Sequence, residues 1–230
     1  MSQPLRYALL GAALFSAQAA AVEFSFVSGN PAPEAFGNSY TQVQSGLTTT
    51  ATAWSTTGSG GRYQTAELEI YSGYGMGVCN RFEGVNCSNS GSMHALDNAG
   101  GATDLILFRF SGPVQLSHLT LRQFDGDSDL SLWAGTGNLQ LANLTPSDLG
   151  RASHAVNSSR VNDIKTVDLS GLAASYDWLA VSARLAQTND FAKLQTLFVQ
   201  PVTSPVPEAS TSALLLAGLG LTGLMVRRRA

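Results

Sequence analysis

Acidic side chains at alternate positions over residues 125–129 form a pattern that could do chemistry. The stretch "DGDSD" (125–129) places three carboxylates where an EF-hand calcium loop has its first three ligands. However, Leu130 stands where that loop requires glycine, and Thr136 stands where it requires a bidentate glutamate, so an EF-hand is excluded. The pattern therefore favours a solvated turn between two strands, and a looser calcium site is the alternative.

Patterns that would indicate catalysis are weak. His94, His118 and His154 occur among many serines and aspartates, but no G-x-S-x-G or other nucleophile context surrounds a serine. Glu67 and Glu69 in "AELEIY" share one face of a strand, whereas paired glycosidase carboxylates usually come from separate elements. We therefore predict a non-catalytic protein, with a polysaccharide-acting hydrolase of unrecognised type as the alternative.

Short runs of alternating, β-branched and aromatic residues must position these groups. Turn residues, mainly Gly, Asn, Asp and Ser, separate the runs, which is typical of antiparallel strands. The nine runs cover residues 22–28, 47–57, 62–73, 104–110, 114–124, 129–135, 161–171, 177–185 and 191–201. Their spacing predicts an all-β fold over residues 22–200, an antiparallel two-sheet sandwich with a jelly-roll-like order.

The first 21 residues have the three parts of a secretory signal peptide. Arg6 is followed by an apolar run over residues 7–15, and small residues then offer an A-x-A site at 17–19 or 19–21. We predict a signal helix over residues 1–21, which is removed on export. The protein then leaves the cytoplasm.

The C-terminal residues form a linker, an apolar segment and a basic end. Residues 201–211 contain three prolines, which favour an extended and accessible backbone. A helix over residues 212–226 would be about 22 Å long, shorter than the ~30 Å hydrocarbon core of a bilayer. We predict a short transmembrane helix there and a cytoplasmic arginine tail over residues 227–230, because arginine-rich flanks stay on the cytoplasmic side.

The linker carries the motif Val206-Pro207-Glu208, and Ala209 follows it. Together with the short apolar helix and the terminal arginines, this motif resembles the PEP-CTERM sorting signal, although Ala209 stands where the family usually has a second proline. The resemblance implies processing by exosortase, a membrane enzyme of bacteria that make exopolysaccharide, after transient anchoring in the inner membrane. It implies an exported protein of the cell envelope, the cell surface or the extracellular matrix.

The central segment, residues 73–137, combines G-x-G-V, H-A-x-D-N and D-S-D-x-S-x-W-A-G. This combination resembles a family of exosortase-dependent surface proteins. The activity of that family is undefined, so the resemblance implies a layout and a location rather than a reaction. We expect a non-catalytic surface or matrix protein, with exopolysaccharide as a candidate ligand.

The region between the two terminal signals is acidic. It holds nine Lys and Arg against fifteen Asp and Glu, a net charge of about −6. Such a charge argues against nucleic acid and anionic lipid as partners, and it is compatible with cation binding.

The chain has two cysteines, Cys79 and Cys87, within "GVCNRFEGVNC". In an exported protein such a pair predicts one disulfide. Closing this short loop would stabilise the fold by about 2.5 kcal/mol.

The stretch "HALDNAGG" (94–101) precedes a strand, a Pro-Val turn and a further strand. This order resembles galactose-binding-like and carbohydrate-binding domains. The resemblance implies that Asp97 and Asn98 are oxygen ligands of a structural Ca²⁺, and the alternative is an Asx-turn. Trp133 and Tyr74 lie near loops and could stack on a sugar ring, the alternative being that both belong to the core.

Overall fold

The computed structural model describes residues 20–29, 35–58, 61–83, 94–124, 127–158, 163–185, 187–202, 214–219 and 221. The chain divides into one unit over residues 20–202 and another made of residues 1–19 and 203–230. The larger unit confirms the predicted all-β fold. Its strands are β1 (Val22–Ser25), β2 (Ser39–Gln44), β3 (Leu47–Thr56), β4 (Tyr63–Thr65), β5 (Glu67–Tyr71), β6 (Gly75–Cys79), β7 (Leu96–Asp97), β8 (Asp104–Gln123), β9 (Leu130–Gly135), β10 (His154–Val156), β11 (Ile164–Asp168), β12 (Tyr176–Ala183) and β13 (Phe191–Pro201). Short 3-10 helices cover Ala99–Gly101 and Pro146–Leu149.

Strand β8 organises the sheet. It is 20 residues long, and its first half pairs with β3 and β12 whereas its second half pairs with β11 and β13. The sequence predicted two strands here, separated by a turn at Pro113. The strand instead runs through, because Pro113 lies where β8 exchanges neighbours and its missing N–H removes little pairing.

All these strands belong to one antiparallel sheet, in which β10-β9-β12-β8-β13-β6-β5 is the main path. The other strands branch from it: β3 and β11 pair with β8, and β1 and β7 pair with β13. The sheet is continuous because β8 joins both groups of strands. The predicted division into two layers stays a prediction.

Alternating side chains build the core. In β3 the residues at positions 47, 49, 51 and 53 are buried and those between them are partly exposed. The main apolar cluster contains side chains from both halves of β8, such as Phe108 and Leu121. It also contains side chains from strands that pair with each half. A smaller cluster around Leu105, Leu107 and Trp133 covers the other face of the first half of β8. Each fully buried large side chain contributes about 1.5–3 kcal/mol of transfer free energy.

The terminal segments lie largely outside the described residues. This holds for residues 1–19 of the predicted signal helix, for residues 203–211 of the linker and for the arginine tail. Residues 214–219 and 221 are helical and exposed. Among the described residues, we find no helix with the length and apolar character needed to span a membrane.

Candidate functional site

Three aspartates come together where β8 ends and β13 begins. Asp127 and Asp129 lie between β8 and β9, and Asp190 directly precedes β13. Because β8 and β13 are antiparallel neighbours, the end of one strand meets the start of the other. One carboxylate oxygen of each aspartate lies within 4.8 Å of the other two. We call these residues the acidic triad.

Hydrogen-bond donors surround the acidic triad. Asp129 accepts from the backbone N–H of Ser158 at 2.6 Å and from Nη1 of Arg184 at 2.8 Å. Oδ1 of Asp190 accepts from the backbone N–H of Asp129 at 3.0 Å. The prediction of a solvated turn is wrong for Asp129, because these contacts hold it in a buried position. The triad is therefore part of a polar network that hydrogen bonds hold in place.

Asn98 ties the segment after β7 to the triad. Its side chain accepts from the backbone N–H of Asp190 at 2.9 Å and donates to Oδ2 of the same residue at 2.5 Å. It also donates to the backbone oxygen of Arg184 at 2.9 Å. Burial raises the pKa of Asp190 to about 6, against the opposing effect of its hydrogen bonds. The amide oxygen of Asn98 is thus already engaged by the protein.

Asp97 and Asp104 form a second acidic group, which we call the buried acidic pair. Asp97 ends β7, and its Oδ1 accepts from the backbone N–H of Ala99 at 2.9 Å, which is the contact of the alternative Asx-turn. Burial and the charge of Glu83 raise the pKa of Asp97 to about 7. Asp104 begins β8 and is fully buried, and burial together with the charge of Asp97 holds its pKa well above the usual range.

Donors are scarce around Asp104. Its Oδ1 accepts from Nδ2 of Asn80 at 3.3 Å, whereas its Oδ2 has no hydrogen-bond partner in the part of the chain that the structure describes. Ser55 is its cross-strand neighbour and lowers its pKa, yet the buried Ser55 hydroxyl makes no well-formed hydrogen bond to a described residue. The buried acidic pair is therefore rich in oxygen atoms and poor in donors.

The two predicted calcium ligands contact different groups. Asp97 interacts electrostatically with Asp104 and raises its pKa, and carboxylate oxygens are the ligands that Ca²⁺ prefers. Asn98 contacts Asp190 instead. A calcium site stays a prediction, and the residue that the structure brings to Asp97 is Asp104 rather than Asn98.

A third group brings Cys79, Glu83 and His94 together, with potential ligand atoms within 4.8 Å of one another. Nδ1 of His94 lies 3.3 Å from Oε1 of Glu83. Cys79 has no free thiol and so offers no thiolate to a metal. Its predicted partner, Cys87, lies outside the described residues, so the disulfide between them stays a prediction.

The two aromatic residues predicted to stack on sugar contact the protein itself. Trp133 is 3% exposed, and its Nε1 donates to the backbone oxygen of Gly150 at 3.2 Å. Tyr74 is half-buried, with the Phe124 ring 6.3 Å away between centroids and the Arg122 guanidinium 4.7 Å from its centroid. Stacking on sugar stays a prediction, with little exposed ring area at Trp133.

Sequence reasoning missed Asp104, Asp190 and Arg184. Each aspartate stands at the start of an apolar strand, in "DLILFRF" and "DFAKL", where a single acidic residue is a weak signal. The partners are far apart in sequence, since 92 positions separate Asn98 from Asp190 and 55 separate Arg184 from Asp129. A lone charge at one end of a buried strand was the signal in the sequence that could have found each of these three residues.

Residues 205–229 match the family model described as the PEP-CTERM protein-sorting motif. No curated protein matches the chain. The match defines the class, an exported protein that is processed by exosortase and sorted to the cell surface. The chain carries a PEP-CTERM signal, as predicted from Val206, Pro207 and Glu208, which lie inside the matched segment and outside the described residues.

Proposed function

We propose that the protein is a non-catalytic component of the cell surface or extracellular matrix that binds exopolysaccharide. The observation that carries this proposal is the PEP-CTERM motif at residues 205–229. The resemblance to this class implies a bacterium that makes exopolysaccharide, so the polymer is at hand wherever the protein is delivered. The inner membrane holds the chain only until exosortase has processed it.

Processing has a direct test on the producing cells. Mass spectrometry of surface material should find peptides of the β unit and none spanning residues 207–229. Intact tails in that material would contradict processing and leave the protein as a membrane-anchored one.

We also propose that the sheet folds over itself as a two-layer, jelly-roll-like sandwich, similar to galactose-binding-like and carbohydrate-binding domains. In support, Phe26 stacks on Phe108 with 5.4 Å between ring centroids. Phe26 follows β1. Strand β1 pairs with β13, and β13 pairs with the second half of β8, whereas Phe108 lies in the first half of β8. Rings so far apart along the hydrogen-bonded path meet when the two halves of a sheet face each other.

A structural Ca²⁺ at the buried acidic pair is part of the proposal. Asp97 and Asp104 would hold it through carboxylate oxygens, and the ion would supply positive charge to a region with few donors. Extracellular modules bind calcium at about 10⁻⁴–10⁻³ M, so weak affinity is sufficient outside the cell. The ion would fix the segment before β8 to the sheet.

A polysaccharide-acting hydrolase is the second candidate, because one serine meets a histidine. Oγ of Ser117 lies 3.0 Å from Nδ1 of His118, and the His118 ring stacks on Phe198 at 4.1 Å. Asp168 is the cross-strand neighbour of His118, but its carboxylate accepts from the backbone N–H of Ser170 at 2.8 Å. In a catalytic triad the acid holds the imidazole, so this arrangement favours the non-catalytic function.

One pair of measurements on the purified full-length protein separates the two functions. Soluble bacterial exopolysaccharides are tested for binding by affinity electrophoresis and for the release of reducing ends. Binding without new reducing ends supports the proposal. Release that disappears in Ser117→Ala supports the hydrolase, and binding to no polymer contradicts the proposed function.

A further inference from the structure

A groove of about 470 Å³ lies along the edge of the sheet formed by β9 and β10. We call it the edge groove. Its lining includes Ser131 and Trp133 of β9, Arg151 and Ser153 of the connecting turn, His154 of β10, and Arg184 after β12. It is open to solvent, and its volume lies within the range of about 300–1,000 Å³ that is usual for small-molecule sites.

The edge groove has the opposite charge character to the rest of the β unit. Among its described lining residues, Arg151, Arg184 and His154 are basic and none is acidic. The region between the terminal signals, in contrast, has a net charge of about −6. A basic groove on an acidic surface concentrates an anionic ligand at that one place.

Hydrogen bonds to Asp129 and Asn157 hold the Arg184 side chain in position. Its Nη1 donates to Oδ2 of Asp129 at 2.8 Å and to the side-chain oxygen of Asn157. The hydrogen bonds of its side chain to described residues all use this one nitrogen, which leaves Nη2 and Nε for a ligand. The acidic triad therefore fixes the position of this guanidinium and offsets part of its charge, so among the described lining residues Arg151 carries the unpaired positive charge of the groove.

Arg151 differs from Arg184 because no described residue pairs with its charge. It is exposed, and it makes no hydrogen bond or ion pair with any residue in the described part of the chain. Gly150 before it has a φ of 68°, a conformation that favours glycine and turns the chain back toward β10. Its backbone oxygen accepts from Nε1 of Trp133 at 3.2 Å, which fixes the turn to the floor of the groove.

Resting on the proposed polysaccharide binding, we propose that the edge groove binds a carboxylate-bearing sugar residue, as in a polyuronate. Arg151 and Arg184 would bind the carboxylate, because a guanidinium matches a carboxylate with two parallel hydrogen bonds. The hydroxyls of Ser131 and Ser153 would bond sugar hydroxyls, and Ala152, Ala155 and Leu185 offer apolar surface for the ring. A neutral glucan has hydroxyl groups but no carboxylate to pair with the charge of the two guanidinium groups.

The test is a calorimetric titration of the purified full-length protein in mild detergent at low salt. The probes are a hexamer of α-1,4-linked galacturonic acid and the neutral hexamer of α-1,4-linked glucose. Arg151→Gln removes the uncommitted charge, and Arg81→Gln is the matched control, since Arg81 is exposed but lies over the Phe36 ring and outside the groove. We expect the uronate hexamer to bind, with affinity roughly fivefold lower in Arg151→Gln and within about twofold of wild type in Arg81→Gln.

Added salt should weaken the uronate complex, because it screens the two guanidinium groups. An unchanged affinity in Arg151→Gln, or an equal loss in Arg81→Gln, overturns the assignment to this groove. Equal binding of the neutral hexamer overturns the carboxylate specificity and leaves the proposed polysaccharide binding standing. Failure of both hexamers to bind overturns the inference, and the proposed function is then decided by the exopolysaccharide measurement.

Discussion

The acidic triad and the buried acidic pair meet at two consecutive residues, since Asn98 contacts the first and Asp97 belongs to the second. Both regions bury carboxylates, but donors reach them unequally. In the triad, backbone N–H groups, Arg184 and Asn98 satisfy the oxygens, and the pKa of Asp190 rises only to about 6. In the pair, the pKa of Asp97 rises to about 7 and that of Asp104 lies well above its usual range. Burial is the main cause of each rise in pKa, and Asp190 accepts more hydrogen bonds that offset it than Asp97 does.

The largest expected difference between the regions is in the pH dependence of stability. The folded state holds the proton of Asp97 with a pKa of about 7, whereas the unfolded value is near 3.8. The folded state therefore binds more protons between these values, and the free energy of unfolding should fall as the pH rises from about 4 to about 7. The buried acidic pair, in which Asp97 titrates together with its neighbours, can contribute a few kcal/mol to this fall. Urea unfolding followed by tryptophan fluorescence at several pH values measures it.

Asp97→Asn keeps the oxygen that accepts from Ala99 and removes the titration, so its stability should depend less on pH over that range. Asp127→Asn is the matched control, because it removes a charge from the half-buried member of the triad. If Asp97→Asn falls with pH as steeply as the wild type does, the buried acidic pair does not carry a raised pKa.

The next largest effect should follow from breaking the triad. Asp129→Ala leaves the backbone N–H of Ser158 and Nη1 of Arg184 without their acceptor. Breaking a buried ion pair costs 3–5 kcal/mol, and we expect about 3 kcal/mol because the Arg184 side chain is 35% exposed. The urea midpoint at pH 7 measures the loss. A cost below about 1 kcal/mol would mean that the network contributes little to the stability of the fold.

Calcium should act on the pair and spare the triad. At about 100 times the dissociation constant, an ion that binds only the folded state adds roughly 2.7 kcal/mol to the free energy of unfolding. Melting temperatures in calcium and in chelator should differ for the wild type and for Asp127→Ala, and should coincide for Asp97→Ala. If Asp127→Ala abolishes the difference instead, the ion binds the triad. Equal melting temperatures for the wild type would refute the site.

The smallest expected effect is that of Asp127→Ala itself. Its carboxylate accepts from the backbone N–H of the next residue, Ser128, at 2.9 Å, and lies 3.5 Å from Nδ2 of Asn189. Removing these local contacts should cost about 0.5 kcal/mol. Thermal unfolding beside Asp129→Ala gives the comparison, and a cost as large as that of Asp129→Ala would show that all three carboxylates act as one unit.

The sequence predicted the longest strands because alternation reports which face is buried, but its nine runs did not include β2, β6, β7 or β10. The run "LTTTATAWSTT" became β3 with its odd-numbered residues inside, and the sorting signal was recognised from its linear order alone. The single strand over Asp104–Gln123 was missed, because Gly112 and Pro113 suggest a turn wherever the neighbouring strands are unknown.

The candidate sites were predicted less well because they depend on long-range pairing. "DGDSD" was predicted to be a solvated turn because nothing near it in sequence binds Asp129. The donors that hold Asp129 in its buried position come from Ser158 and Arg184, far along the chain. Trp133 was predicted to lie near a loop and to be available for a sugar ring, yet it belongs to the smaller apolar cluster, which was the alternative. Neighbours distant in sequence decide whether an acid or an aromatic ring is structural.

The position of β13 in the chain has a consequence for folding. This strand pairs with β1, β6, β7 and β8, and it ends at Pro201, just before the matched sorting motif begins at residue 205. The sheet therefore cannot close until residues 191–201 are available for pairing, and contacts between residues so distant in sequence form slowly. Completion of the sheet therefore depends on the segment that directly precedes the sorting motif.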